Sequence, residues 1–124
     1  MELNLNDGKW NNYDKSLLND KIVILKLMRN KISSLDEIPF DSLRNLKFLY
    51  LDENQIEEIK GRHFEKLNKL EYLSLSKNKI SSLDDDVFDS LVNLKRLDLD
   101  ENLLRRDFFQ SNRKHSIIKT VFFF

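Results

Sequence analysis

LKFLYLDENQI, residues 46–56, contains the phrase that decides the fold: Leu46-x-x-Leu49-x-Leu51-x-x-Asn54-x-Ile56. The same phrase recurs at 22–32 as Ile22, Leu25, Leu27, Asn30 and Ile32. It returns at 70–80 as Leu70, Leu73, Leu75, Asn78 and Ile80, and at 94–104 as Leu94, Leu97, Leu99, Asn102 and Leu104. The four asparagines are each 24 residues apart. A fixed period of this length marks a solenoid, in which one supersecondary unit is stacked repeatedly. In each phrase the last two leucines alternate with other residues, so both point to one face of a short strand and their neighbours to the other. A buried Leu or Ile contributes roughly 1.5–3 kcal/mol. One unit alone has nothing to bury it against, so several must stack. The Asn falls where the chain leaves the strand, and its amide can satisfy turn backbone that burial would otherwise orphan. Asn30, Asn54, Asn78 and Asn102 are therefore expected to form a structural ladder.

The second half of the unit is as regular. Leu35, Ile59 and Leu83 fall five residues after their Asn, Phe40, Phe64 and Phe88 ten after, and Leu43, Leu67 and Leu91 thirteen after. The resulting Phe-x-x-Leu-x-x-Leu endings resemble the typical 24-residue class of leucine-rich repeat, over about residues 22–104. That resemblance implies an α/β right-handed solenoid with a short parallel sheet on the concave face and short helical or irregular turns on the convex face. It also implies a mostly extracellular class that includes Toll-like receptors, Slit-like guidance proteins and adhesion proteins. Members usually carry cysteine-rich caps and glycans, whereas this sequence has zero Cys and no Asn-x-Ser/Thr acceptor. Zero Cys suits a reducing compartment, so a cytoplasmic location is the alternative to the extracellular one.

The expected organisation is an N-terminal capping segment at 1–21 and four repeats over 22–107 (22–45, 46–69, 70–93 and an incomplete 94–107). A degenerate tail follows at 108–124. Ile118, Val121 and Phe123 stand 24 residues after Leu94, Leu97 and Leu99, in phase for a fifth strand at 118–123. The pattern between is lost, with Asp107 in a Leu slot and Asn112 in a Phe slot. Undocked, VFFF would be a β-prone aggregation liability. At the other end Met1, Leu3 and Asn6 are in phase, but nothing between them and Ile22 follows the rule. Leu17 and Leu18 are expected to cover the leading edge of the first repeat.

Other chemistry is sparse. Lys plus Arg number 21 and Asp plus Glu 21, so no net charge draws the chain to nucleic acid or an anionic membrane. No apolar run approaches the ~20 residues of a membrane span. The first ten residues lack the basic and apolar regions of a signal peptide. Asp84, Asp85 and Asp86 read as caps of a helical turn. His63 and His115 have no Cys or second His nearby, which argues against a metal site, and both are expected to be solvated. Arg105, Arg106, Arg113 and Lys114 lack interleaved aromatics and read as a polar connector. With no phosphate loop, nucleophile elbow or zinc-protease motif, neither a catalytic set nor a cofactor is expected.

The residues between the buried leucines should line the concave face in columns. Six before each Asn stand Ile24, Phe48, Tyr72 and Arg96; four before, Lys26, Tyr50, Ser74 and Asp98; two before, Met28, Asp52, Ser76 and Asp100. Phe48, Tyr50 and Tyr72 are adjacent in this lattice and make an apolar patch, with Asp52, Asp98 and Asp100 as an acidic flank and Arg96 beside it. Solvent-facing aromatics on a strand suit an interface. These residues are the candidates for a non-catalytic protein-binding face whose partner carries a basic patch. By resemblance the module is receptor-like or adhesion-like. The alternative is an intracellular scaffold or regulatory subunit.

Overall fold

The structure, a computed structural model, describes residues 1–84 and 86–105 and the backbone of 120–122. Its main sheet is parallel and six-stranded, ordered β1 (Glu2–Asn4), β2 (Ile24–Lys26), β3 (Phe48–Tyr50), β5 (Tyr72–Ser74), β7 (Arg96–Asp98) and β8 (Thr120–Phe122). Register is constant from coil to coil: Leu25 pairs with Leu49, Leu49 with Leu73 and Leu73 with Leu97. Those leucines, with Leu27, Leu51, Leu75 and Leu99 two residues further on, are fully buried. Each column is thus a continuous apolar seam, and the coils stack because no coil can shield its own leucines. Phe40, Phe64 and Phe88 fill the opposite side of the core, Phe40 and Phe64 packing edge to face with ring centroids 5.6 Å apart.

On the convex side, single 3-10 turns occupy Leu35–Glu37, Phe40–Ser42 and Gly61–Phe64. The first is fixed by a capping box, in which the Ser34 hydroxyl accepts from Asp36 N–H and Glu37 reaches back to the Ser34 N–H. Between two of the coils the convex side instead forms a second parallel sheet, β4 (Glu58–Ile59) against β6 (Ser82–Leu83). That sheet departs from the expectation of helical or irregular turns alone. Asp84 and Asp86 lie near the Gly61 turn: Asp84 accepts from the Gly61 N–H at 3.4 Å, and a Cβ on Gly61 would meet Asp86 Oδ1 at 2.6 Å. Asp85 lies outside the described residues.

The N-terminus follows a different spacing from the one the sequence suggests. Leu3 pairs with Leu25, 22 positions on, and the Trp10 N–H donates to Asn30 Oδ1 just as Ile32, Ile56 and Ile80 donate to the Asn of the coil that follows. The first coil is therefore two residues short. Leu5 and Trp10, rather than Met1 and Asn6, carry its core positions, and Trp10 is 1% exposed. Leu18 is buried there, but Leu17 is 58% exposed and covers nothing. At the far end Val121 pairs with Leu97, in parallel.

Each ladder Asn binds the preceding coil as well as its own. Asn54 Oδ1 accepts from the N–H groups of Asn30 and Ile32, both at 3.0 Å, while its Nδ2 donates to Leu27 and Leu51 carbonyls at 2.9 and 3.0 Å. Asn78 accepts from Ile56 N–H at 3.1 Å and donates to Leu51 and Leu75. Asn102 accepts from Ile80 N–H at 3.0 Å and donates to Leu75 and Leu99. Asn30 donates to Leu5 and Met28. To present these groups the chain turns through the left-handed region just before every Asn, at Arg29, Glu53, Lys77 and Glu101, with φ of 57–58°.

Candidate functional site

The concave face is the solvent-facing side of the main sheet, and the strand register sets its side chains in rows. Phe48 lies beside Tyr72 and Tyr50 beside Ser74. The Tyr50 and Tyr72 rings meet across the diagonal, centroids 5.2 Å apart and tilted by 33°. Cations of the chain itself flank this pair: Lys26 Nζ lies 5.8 Å from the Tyr50 centroid and Arg96 Cζ 5.4 Å from that of Tyr72. Such contacts hold the rings in place at roughly 0.5–1 kcal/mol each when exposed.

The acidic columns are built differently from an open rim. Asp98 is 7% exposed, and both its oxygens are used: Oδ2 accepts from the Tyr72 hydroxyl at 2.6 Å and Oδ1 from Arg96 Nε at 3.1 Å. Asp98 is thus a buried anchor, unlike the open flank position its column suggests. Asp52 Oδ2 accepts from Ser74 Oγ at 2.7 Å, and Asp100 Oδ1 accepts from Ser76 Oγ. Asp52 Oδ1 is shielded from solvent and has no hydrogen-bond partner. Burial pushes the Asp52 carboxyl above the usual carboxylate range, and the nearby charges of Asp98 and Asp100 add to the effect against the Ser74 hydrogen bond. Burial likewise raises the Tyr72 phenol to about 12, helped by its carboxylate partner Asp98. Met28, Asp52, Ser76, Arg96, Asp98 and Asp100 line a groove of about 470 Å³ at this end of the strands.

The structure therefore brings Tyr50, Tyr72, Arg96 and Asp98 into one connected network, and sets Asp52 and Asp100 beside it on separate serine anchors. Ser74 and Ser76, both buried, give a sequence reading no periodic signal. Ser74 reaches Asp52 across the diagonal, whereas Ser76 reaches Asp100 straight across on the next coil. A second row, on the side where chains enter the strands, was equally silent. Asn45 Nδ2 donates to the Asp20 carbonyl, Asn93 Nδ2 to that of Asn68, and Lys69 Nζ to Asn45 Oδ1.

His63, expected from its sequence context to be solvated, is instead buried, at 8% exposed, because its partners lie on a neighbouring convex turn and in its own. Its Nδ1 accepts from the Lys60 N–H at 3.0 Å and its Nε2 lies 2.8 Å from Asp36 Oδ1. The occupied Nδ1 assigns the ring proton to Nε2. Arg62 also holds Asp36, and Arg62 first, then His63, brings that carboxyl down to about 2. His115 lies outside the described residues. Among the described residues, no group of three or more His, Cys, Asp and Glu side chains is placed to hold a metal ion, and no helix is long and apolar enough to cross a membrane.

The family model described as Leucine rich repeat matches residues 20–80 and again 44–104. A search of curated proteins returns no match. Among solved structures, a leucine-rich-repeat protein of Leptospira interrogans is 28% identical, with a TM-score of 0.70 over 85% of this chain and 26% of its own. A chain of the Drosophila Toll–Spatzle complex, a hub in development and innate immunity, is 25% identical, with a TM-score of 0.53 over 80% of this chain and 17% of its own. The present chain thus spans about a quarter or less of the length of either neighbour. Family match, coil register and neighbours agree, and the chain belongs to the leucine-rich repeat family.

Proposed function

We propose that this solenoid is a non-catalytic protein-binding module that captures its partner on the concave face, as a receptor-like or adhesion-like unit in an extracellular setting. The observation that carries the reading is the Tyr50–Tyr72 ring pair beside Phe48, half-buried on the solvent side of the sheet and clamped by Lys26 and Arg96. Rigid aromatics offer a large contact area at small entropic cost, which is why such residues anchor interfaces. The adjoining groove, with Asp52 and Asp100 on its wall, suits a partner that brings positive charge. The likeness to a chain of the Toll–Spatzle complex supports the receptor-like form.

The test is affinity capture of a partner followed by titration with variants. Phe48→Ala or Tyr50→Ala should weaken the complex about thirtyfold, the equivalent of roughly 2 kcal/mol for a hot-spot aromatic. The convex changes Glu65→Ala and Lys66→Ala should leave it unchanged. Binding abolished by the convex pair and untouched by the aromatic pair would refute the concave-face reading.

A further inference from the structure

Two rows of alternating charge border the concave face, and their phases are opposite. On the side where the chain enters the strands stand Lys47, Glu71 and Lys95; on the side where it leaves stand Glu53, Lys77 and Glu101. Ion pairs along each row confirm that its members are neighbours, Lys95 with Glu71 at 3.3 Å and Lys77 with Glu101 at 3.9 Å. The exit row is unusual in its backbone. Glu53, Lys77 and Glu101 all stand at positive φ, where Gly or Asn would cost less, yet the positions carry charge.

We infer that this face pairs with the same face of a second copy of the chain, the strands antiparallel across a two-fold axis that runs along the stack. The inference rests on the concave-face reading and names its occupant. That axis reverses each strand on itself and leaves the strand order unchanged. Lys47 then meets Glu53 of the second copy, Glu71 meets its Lys77, and Lys95 meets its Glu101. These three matches are each between opposite charges and each occurs twice by symmetry, while Arg29, at the equivalent exit position of β2, meets the uncharged Val23. Tyr50 falls on the axis against its own counterpart. Two matches on the axis are between like charges: Lys26 on Lys26, whose ammonium is held by Glu2 at 3.3 Å, and Asp98 on Asp98, whose carboxylate is buried beneath its partners Tyr72 and Arg96. The other axis in the plane of the interface, along the strands, sets Lys47 against Lys95 and Glu53 against Glu101 when it passes through β5, but midway between β3 and β5 it pairs Lys47 with Glu71 and Glu53 with Lys77; a mixture of complementary charge variants restores every contact only in the antiparallel arrangement and so separates the two.

The size of the face sets the strength. Six strands at ~4.8 Å spacing and about six residues at ~3.3 Å give a footprint of roughly 500 Å² per copy, below the ~800 Å² of a stable standard interface. Pairing is therefore weak, in the high micromolar range, and sensitive to salt.

Charge exchange tests it. Glu53→Lys with Glu101→Lys makes both rows predominantly basic, and Lys47→Glu with Lys95→Glu makes both predominantly acidic; all four side chains are exposed, so folding is preserved. Sedimentation equilibrium of the 124-residue chain from about 10 µM to about 1 mM spans the relevant range. The wild type should dimerise, each double variant should need at least tenfold more protein to do so, and an equimolar mixture of the two should recover wild-type association. Wild type monomeric throughout, variants that dimerise as wild type does, or a mixture that stays monomeric would each overturn the pairing. Tyr50→Ala tested against a captured partner separates the two readings: a weakened partner complex with a monomeric wild type refutes self-pairing and leaves the concave binding face standing.

Discussion

Asn54→Ala should be among the most damaging single substitutions in the chain, and the hydrogen bonds give its size. Asn54 alone accepts from the N–H groups of Asn30 and Ile32, and it alone holds the Leu27 carbonyl. The Leu51 carbonyl, which it also holds, keeps a second donor in Asn78. Alanine therefore leaves two buried donors and one acceptor unpaired. At about 1–3 kcal/mol for each of the three orphaned groups, the loss is roughly 3–9 kcal/mol. That is a large share of the ~5–15 kcal/mol that keeps a domain folded. Asn78→Ala should cost less, roughly 1–3 kcal/mol, since only the Ile56 N–H is fully orphaned and the Leu51 and Leu75 carbonyls keep Asn54 and Asn102. Asn45→Ala is the control: Asn45 too hydrogen-bonds, to Asp20 and Lys69, but these bonds are exposed and water replaces them at a loss below about 1 kcal/mol. Urea melts followed by circular dichroism read the order. With m of about 1–3 kcal/mol/M, Asn54→Ala should lower the midpoint by at least 1 M. Equal shifts for Asn54→Ala and Asn45→Ala would refute the ladder as the inter-coil fastening.

Three further outcomes follow from the site. Asp52 has its carboxyl raised by burial, so its protonated form favours the fold: wild type should gain stability as the pH falls from 7 through the raised value, and Asp52→Asn should be more stable at pH 7 and lack that gain in melts taken along the pH series. Tyr72→Phe removes the hydroxyl from Asp98 and should cost about 1–3 kcal/mol by urea melt, and the phenolate absorbance missing from its alkaline titration should be a component rising near pH 12. His63→Ala should destabilise by about 1–3 kcal/mol, with Asn at the same position recovering part of the loss because its amide can accept from the Lys60 N–H; full stability in the alanine variant would show that the bond carries nothing.

What the sequence made legible was whatever repeats at one phase. Leu49, Leu73 and Leu97, or Asn54 and Asn78, occupy chemically identical places in successive coils, so selection for burial or for a turn acceptor leaves the same letter every 24 residues. The concave columns were legible as positions for the same reason, since alternation fixes which side chains leave the core. Their chemistry was not. Whether Asp98 lies open or buried depends on its diagonal neighbour Tyr72 in the previous coil, and no period encodes a diagonal hydrogen bond. The first coil escaped because it is two residues short, so that Met1 and Asn6 are in phase by sequence yet Leu3 and Leu5 carry the strand. His63 escaped because its partner Asp36 is 27 residues away on another convex turn.

The ladder also gives the stack a direction. Each Asn reaches backward, so the N–H groups that leave a strand are closed by an amide belonging to the next coil along: Ile32 by Asn54, Ile56 by Asn78 and Ile80 by Asn102. A break between two coils is then unequal on its two sides. The later coil keeps a flexible side-chain amide that water solvates freely, whereas the earlier one is left with main-chain donors fixed in a turn beneath the apolar seam. Unravelling should accordingly travel from the C-terminal coils toward Trp10, each departing coil unlatching its predecessor, and shortened versions that start late should outlast those that stop early.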